Sequence, residues 1–211
     1  MAVLTFYPSV DGDIGRQPAE ESWVEIVAYA GTYADGDNPL TQHISISSGI
    51  VVNKWDALAR VILCFDTSSI PDNALVISAV LSLYGKQGMD DLAITPNINL
   101  YSSNPASPAA LVAADYSTLG STPLCDTPIA YGDWITTGYN AFILNAAGLA
   151  AISKTGYTKL GLRNANYDVA GVAPTWSSNL SSEIRAYPVE YVDANKRPKL
   201  VVTFTIAGRS Q

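Results

Sequence analysis

The chain alternates short apolar runs with polar breaks, most clearly over residues 59–84, ARVILCFDTSSIPDNALVISAVLSLY. Two strands are expected here, at 60–66 and 75–84. The intervening residues 67–73 are rich in Ser, Pro, Asp and Asn, which favour turns by fixing φ or by bonding to nearby backbone. In the first strand Val61, Leu63 and Phe65 share one face, and Arg60, Ile62, Cys64 and Asp66 share the other, because side chains alternate along a strand. Both faces are largely apolar, which predicts a central strand covered on both sides. In the second, Leu75, Ile77, Ala79, Leu81 and Leu83 read as one continuous aliphatic face opposite Val76, Ser78, Val80, Ser82 and Tyr84.

The same pattern predicts a first strand over residues 2–7, closed by Pro8 and the turn-prone Asp11-Gly12-Asp13. Residues 23–33 alternate only loosely before Asp35-Gly36-Asp37-Asn38-Pro39. Gly and Asn there tolerate positive φ and Pro cannot extend a ladder, so that cluster reads as a loop. Residues 42–52 place Ile44, Ile46 and Ile50 on one face of a half-buried strand, with His43 and Ser45 on the other. Further strands are expected around Ile98 and Leu100 and over 139–145, 157–163, 182–187 and 199–206, the last rich in β-branched residues. Two short helical pieces are expected among them. Residues 108–116 open on Pro108, and residues 146–154 set Leu149 and Ile152 at helical spacing with Lys154 suited to a helix C-terminus. About nine to eleven short strands separated by turns predict an all-β jelly-roll β-sandwich with one or two short helices. A single domain over residues 1–211 is expected.

Composition narrows what such a fold can do. Apolar residues make up 48% of the chain and charged residues 15%, which allows a large core and a neutral surface rich in hydroxyls and amides. A net charge of -7 disfavours attraction to nucleic acid phosphates or anionic lipid, so neither nucleic acid nor membrane is expected as a partner. No apolar run approaches the roughly 20 residues of a membrane-crossing helix. The opening MAVLTFYPSVDGD lacks the basic and apolar regions of a secretory signal; with Met1 as the natural start, the chain stays in the cytosol of its producer. Cys64 in an apolar strand and Cys125 in a Pro-flanked loop form no disulfide framework. Both are expected as free thiols, Cys64 as a core hydrophobe.

Three segments then occur in order: RVILCFDTSSIPDNALVISAVLSLYG, YNAFILNAAGLAAISKTGYTKLGLRN and RPKLVVTFT. Within them Phe65-Asp66, Ser69-Ile70-Pro71, Ala79 to Tyr84, Leu160-Gly161-Leu162-Arg163 and Pro198-Lys199-Leu200-Val201-Val202-Thr203-Phe204 carry a resemblance, over residues 59–206, to the DNRLRE-type β-sandwich modules. The resemblance implies a jelly roll without catalytic apparatus, serving as a carbohydrate-binding or adhesive module in secreted proteins or as a virion module in phages. Without a signal or a partner domain, and with the Trp-containing motif before the helix matched only loosely by Tyr131-Gly132-Asp133-Trp134, the chain is closer to the phage-borne form. That form implies a virion structural protein, located in the virion as a capsid decoration, head-fibre or tail-associated component, with other virion subunits and copies of itself as partners. The alternative is a module recognising a host cell-surface glycan.

Candidate chemistry is sparse. His43 is the chain's one histidine and faces no Ser or Cys elbow. The acidic pairs Glu20-Glu21, Asp90-Asp91 and Asp35/Asp37 lie in expected loops, where carboxylates are normally solvated. No catalytic residue, and no enzyme, is expected. Asp35 and Asp37, like Asp11 and Asp13, could supply part of the oxygen shell of a structural calcium but lack the spacing of a calcium loop; turn formation is the favoured reading and no other cofactor is expected. Cys64, Cys125 and His43 have no paired zinc-ligand spacing. Trp55, Trp134 and Trp176 stand in polar, loop-like settings and are the ligand-binding candidates, since an exposed ring can stack on the apolar face of a pyranose. The same rings would also suit closing the ends of a sandwich or anchoring a neighbouring subunit.

Overall fold

A computed structural model describes residues 1–18 and 20–206 of the chain, so Ala19 and residues 207–211 of the expected domain lie outside the described residues. In chain order the elements are β1 (Ala2–Phe6), β2 (Val10–Arg16), α1 (Trp23–Ala28), β3 (Tyr33–Asp35), β4 (Gln42–Ser48), β5 (Trp55–Asp66), β6 (Ala74–Asp90), β7 (Asn97–Ser102), β8 (Ile129–Ala130), β9 (Tyr139–Ile143), α2 (Ala146–Ala150), β10 (Tyr157–Asn164), β11 (Ser181–Ala186) and β12 (Lys199–Ile206). Short 3-10 turns cover Ala113–Thr118, Tyr131–Asp133 and Ala194–Lys196. The fold is all-β and sandwich-like, and every strand pairing is antiparallel.

The strands join into one sheet, in the order β1-β12-β6-β11-β4-β5-β10-β7-β8, which curls back on itself. Two long strands make the curl possible. In β6, Ala74–Ser82 pair with β12 and Gly85–Asp90 with β11. In β5, Trp55–Ala59 pair with β4, whereas Val61–Asp66 pair with β10. One wall therefore carries β9, β6, β12 and β1; the other carries β2, β5, β10 and β7. Between them lies the main core, where Val61, Leu63 and Phe65 of β5 and Leu160 and Leu162 of β10 meet Ala79, Leu81 and Leu83 of β6, Phe142 of β9 and Leu200, Val202 and Phe204 of β12. The expected central strand is found: residues 58–65 of β5 are all buried. Its other face, with Leu58, Ile62 and Cys64, supports a second core under α1, closed by Val10, Ile14, Trp23, Ile26, Ile46 and Tyr116.

Several sequence expectations shift for identifiable reasons. The aliphatic face of β6 is broken by an extra residue. Thr203 pairs with Ser78 but Phe204 pairs with Val76, so Ile77 has no opposite number and parity inverts there. Ala74 and Val76 consequently face the core, while Leu75 and Ile77 are 63% and 44% exposed. Asp11-Gly12-Asp13 is strand rather than turn, because β2 pairs with β5 and its backbone at Gly12 runs so close to Asp35 and Gly36 that a Cβ would collide with them. Residues 23–33 begin with a helix whose N-terminus is a capping box: Ser22 N–H donates to the Glu25 carboxylate at 2.9 Å while Glu25 N–H donates to Ser22 Oγ. Ile50 is exposed because β4 ends at Ser48. Lys154 lies beyond α2 and ties the following turn to β6 by donating to the carbonyls of Asp72 and Ala74.

Candidate interaction surface

Two of the three tryptophans, Trp55 and Trp134, are not the exposed platforms anticipated from their neighbours, and Trp176 is partly exposed. Trp55 opens β5 instead of sitting in a loop; alternation alone would set it on the face of Val61 and Leu63. The register skips Asp56 between Ser47↔Ala57 and Ser48↔Trp55, and this inversion turns the ring into the second core, where it is 1% exposed and meets Trp23 edge-to-face at 5.1 Å. Trp134 follows the Tyr131–Asp133 turn and inserts between the walls beside Leu83, Phe142 and Ile184, 9% exposed. Trp176 is half-buried against the second core and donates its indole N–H to the Lys54 carbonyl at 3.1 Å. The first two offer no ring face to a ligand in this structure.

The acidic candidates are engaged in building the fold. Asp35 ends β3 and accepts from Asn38 Nδ2 at 2.8 Å, while Asn38 itself accepts from the Leu40 and Thr41 amides, which is a turn network; Asp37 stands beside it near Leu111. Glu20 accepts the Ile50 and Val51 amides, Glu21 pairs with Arg16, and Asp90 accepts the Ile94 and Thr95 amides. Among the described residues no group of three or more His, Cys, Asp or Glu side chains is placed to hold a metal ion. His43 Nδ1 lies 3.3 Å from the buried Asp13 carboxylate. Beside it Asp11 is buried, accepting from Gln42 Nε2 at 3.2 Å and from the Val189 amide at 3.1 Å. Burial, outweighing the Val189 and Gln42 bonds and helped by nearby Glu190, pushes the Asp11 carboxyl up to about 8.

A buried ion triad locks the second core. Asp168 lies in the single wide turn Ala165–Val169, and its two oxygens each receive both Arg60 and Arg163, at 2.6 to 2.9 Å. Arg60 continues to the carbonyls of Tyr116 and Val27 and lies 3.8 Å from the centroid of the Tyr116 ring. Burial alone would raise the Asp168 carboxyl, but the two guanidiniums outweigh it and hold it below the usual carboxylate range. With every guanidinium nitrogen bonded to a protein oxygen, Arg163 Nη1 to the Gly120 carbonyl among them, this cluster is structural.

Two surface features escaped the sequence reading. The first is a tyrosine and lysine cluster at the middle of β6, where its pairing passes from β12 to β11. Tyr84 meets Tyr139 at 5.2 Å and Tyr187 at 5.9 Å, and Tyr187 meets Tyr191 at 4.2 Å. Lys196 Nζ lies 5.0 Å from the Tyr187 centroid, with Lys86 and Lys199 over Tyr187 and Tyr139. The second is the outer face of β1, β12, β6 and β9. Cross-strand register aligns Thr5, Val201, Val80 and Ile143 in one row and Val3, Thr203 and Ser78 in the next. No acidic residue occurs in Ala2–Phe6, Ala74–Tyr84, Tyr139–Ile143 or Lys199–Ile206, and Lys199 is the one charged side chain among them. Among the described residues no element covers this face, where Val3 and Ile143 are 59% and 68% exposed. Alternation signalled each strand, but the assembled surface needs the pairing order.

No helix among the described residues is long and apolar enough to cross a membrane. No protein-family model matches the chain, and no curated protein matches it.

Proposed function

We propose that the protein is a non-enzymatic structural component of a virion, a capsid decoration, head-fibre or tail-associated module that joins copies of itself and neighbouring subunits through its outer sheet face. The observation that carries this reading is that face: a four-stranded β surface free of acidic side chains in a chain of net charge -7. Two acidic molecules repel as they approach, and a neutral, partly apolar face is where that cost is least. The resemblance of residues 59–206 to phage-borne β-sandwich modules points the same way. Mass spectrometry of gradient-purified particles is expected to recover the protein at fixed stoichiometry to the major capsid or tail subunits. Its absence from particles sinks the reading.

A second reading is favoured by the tyrosine and lysine cluster, whose rings and ammonium groups match a glycan bearing acid groups. A glycan array that lights up for the wild type and goes dark for Tyr191→Ala would support it; a silent array counts against it.

A further inference from the structure

We infer that β1 is a pairing edge for a second copy of this chain, which extends the sheet antiparallel across a two-fold axis. This rests on the self-association reading above and names the element and the partner.

Among the described residues β1 pairs with β12 on one side only, through five consecutive positions from Ala2↔Phe204 to Phe6↔Leu200, without a bulge. Sheet edges in natural proteins are normally blunted by charged side chains, prolines, bulges or a covering loop. AVLTF has no charge and no proline, and Pro8 falls beyond the strand's end. The opposite edge of the same wall is treated differently: β9 is flanked by residues 126–129, which share a groove with Ala141, Ile143 and Leu144. A strand added at β9 would have to displace or fit beside that segment, whereas no such segment neighbours the β1 edge among the described residues.

The occupant follows from charge and continuity. A copy of this chain brings the same open edge, and an antiparallel strand pair can be self-complementary about a two-fold axis. Pairing centred on Leu4 sets Val3 opposite Thr5 of the other copy on the outer face. It also brings a second apolar side chain to Leu4, which is only partly covered by the core at this end. The two acid-free faces then run on as one surface, and the only charge it gains is a second Lys199. No carboxylate of either copy's β1, β12 or β9 opposes that approach, although each molecule carries a net charge of -7.

The test uses two doubly substituted chains, Val3→Glu/Thr5→Glu and Val3→Lys/Thr5→Lys, at positions whose side chains are exposed in the monomer. Circular dichroism and thermal midpoints are compared first, to show that each variant folds as the wild type does. By sedimentation equilibrium the wild type is expected to be dimeric, and each variant alone to associate roughly 30-fold more weakly, since like charges oppose across the new strand pair. Mixing the two variants should restore the dimer. A wild-type dimer that persists in both variants overturns the edge assignment and leaves the self-association reading standing. A wild type that stays monomeric at high concentration overturns both.

Discussion

At the residue scale, a few buried polar groups are costly to disturb, because removing one partner leaves the others unpaired in the interior. Asp168 neutralises part of two buried guanidiniums, 108 residues and 5 residues from it. Removing it leaves those charges without their counter-ion, so Asp168→Ala is expected to cost about 3–5 kcal/mol in urea unfolding, a large share of a typical domain's stability. Asp11 behaves in the opposite sense. Its folded-state value, about 8, lies above the ordinary 3.8, so between these values the native state holds a proton that the unfolded chain has released. Its contribution is complete below the unfolded value and is lost as pH rises through about 8. Glu190, also raised by burial, acts in the same direction. The urea midpoint is expected to fall between pH 5 and pH 8.5 in the wild type, and Asp11→Asn should flatten that slope. An unchanged slope would show that the buried carboxyl does not titrate with folding.

At the element scale, the bulge in β6 decides which half of an aliphatic pattern builds the core. Leu75 and Leu81 belong to the same alternation in the sequence, yet Leu75 is exposed and Leu81 is fully buried. Leu81→Ala is expected to destabilise by about 2–5 kcal/mol, and Leu75→Ser by no more than about 0.5 kcal/mol. Equal losses in chemical denaturation would mean that the inversion at Ile77 is absent in solution. The extra residue could not be read from β6 alone, because a bulge is a mismatch between two strands and its position is set by the register with β12. The helix α1 was legible in principle. Ser22 and Glu25 stand at capping-box spacing before an apolar pair, but the weak alternation of residues 23–33 masked it.

At the scale of the whole molecule, β5 is the shared wall of two cores, which makes its buried groups reporters of global opening. Cys64 lies in the second core and Cys125 in the main one, both free, and burial pushes their thiols up to about 11 and about 12. Neither thiol should react with an aromatic disulfide reagent in the native protein, and both should react once the chain unfolds; labelling of one alone would reveal that the cores open separately. The sequence by itself determined the β class, most strand positions, the burial of β5 on both faces and the apolar content of the core. These depend on period and composition, which are local properties of the chain. Tertiary structure alone decided that Trp55 and Trp134 turn inward, that Asp11 and Asp168 are tolerated in the interior, and that Tyr84, Tyr139 and Tyr187 meet. It also decided that segments of four strands without an acidic residue come together on one face. Each of these depends on which distant segment supplies the opposing surface, and that follows from strand order and register, which a one-dimensional pattern does not encode.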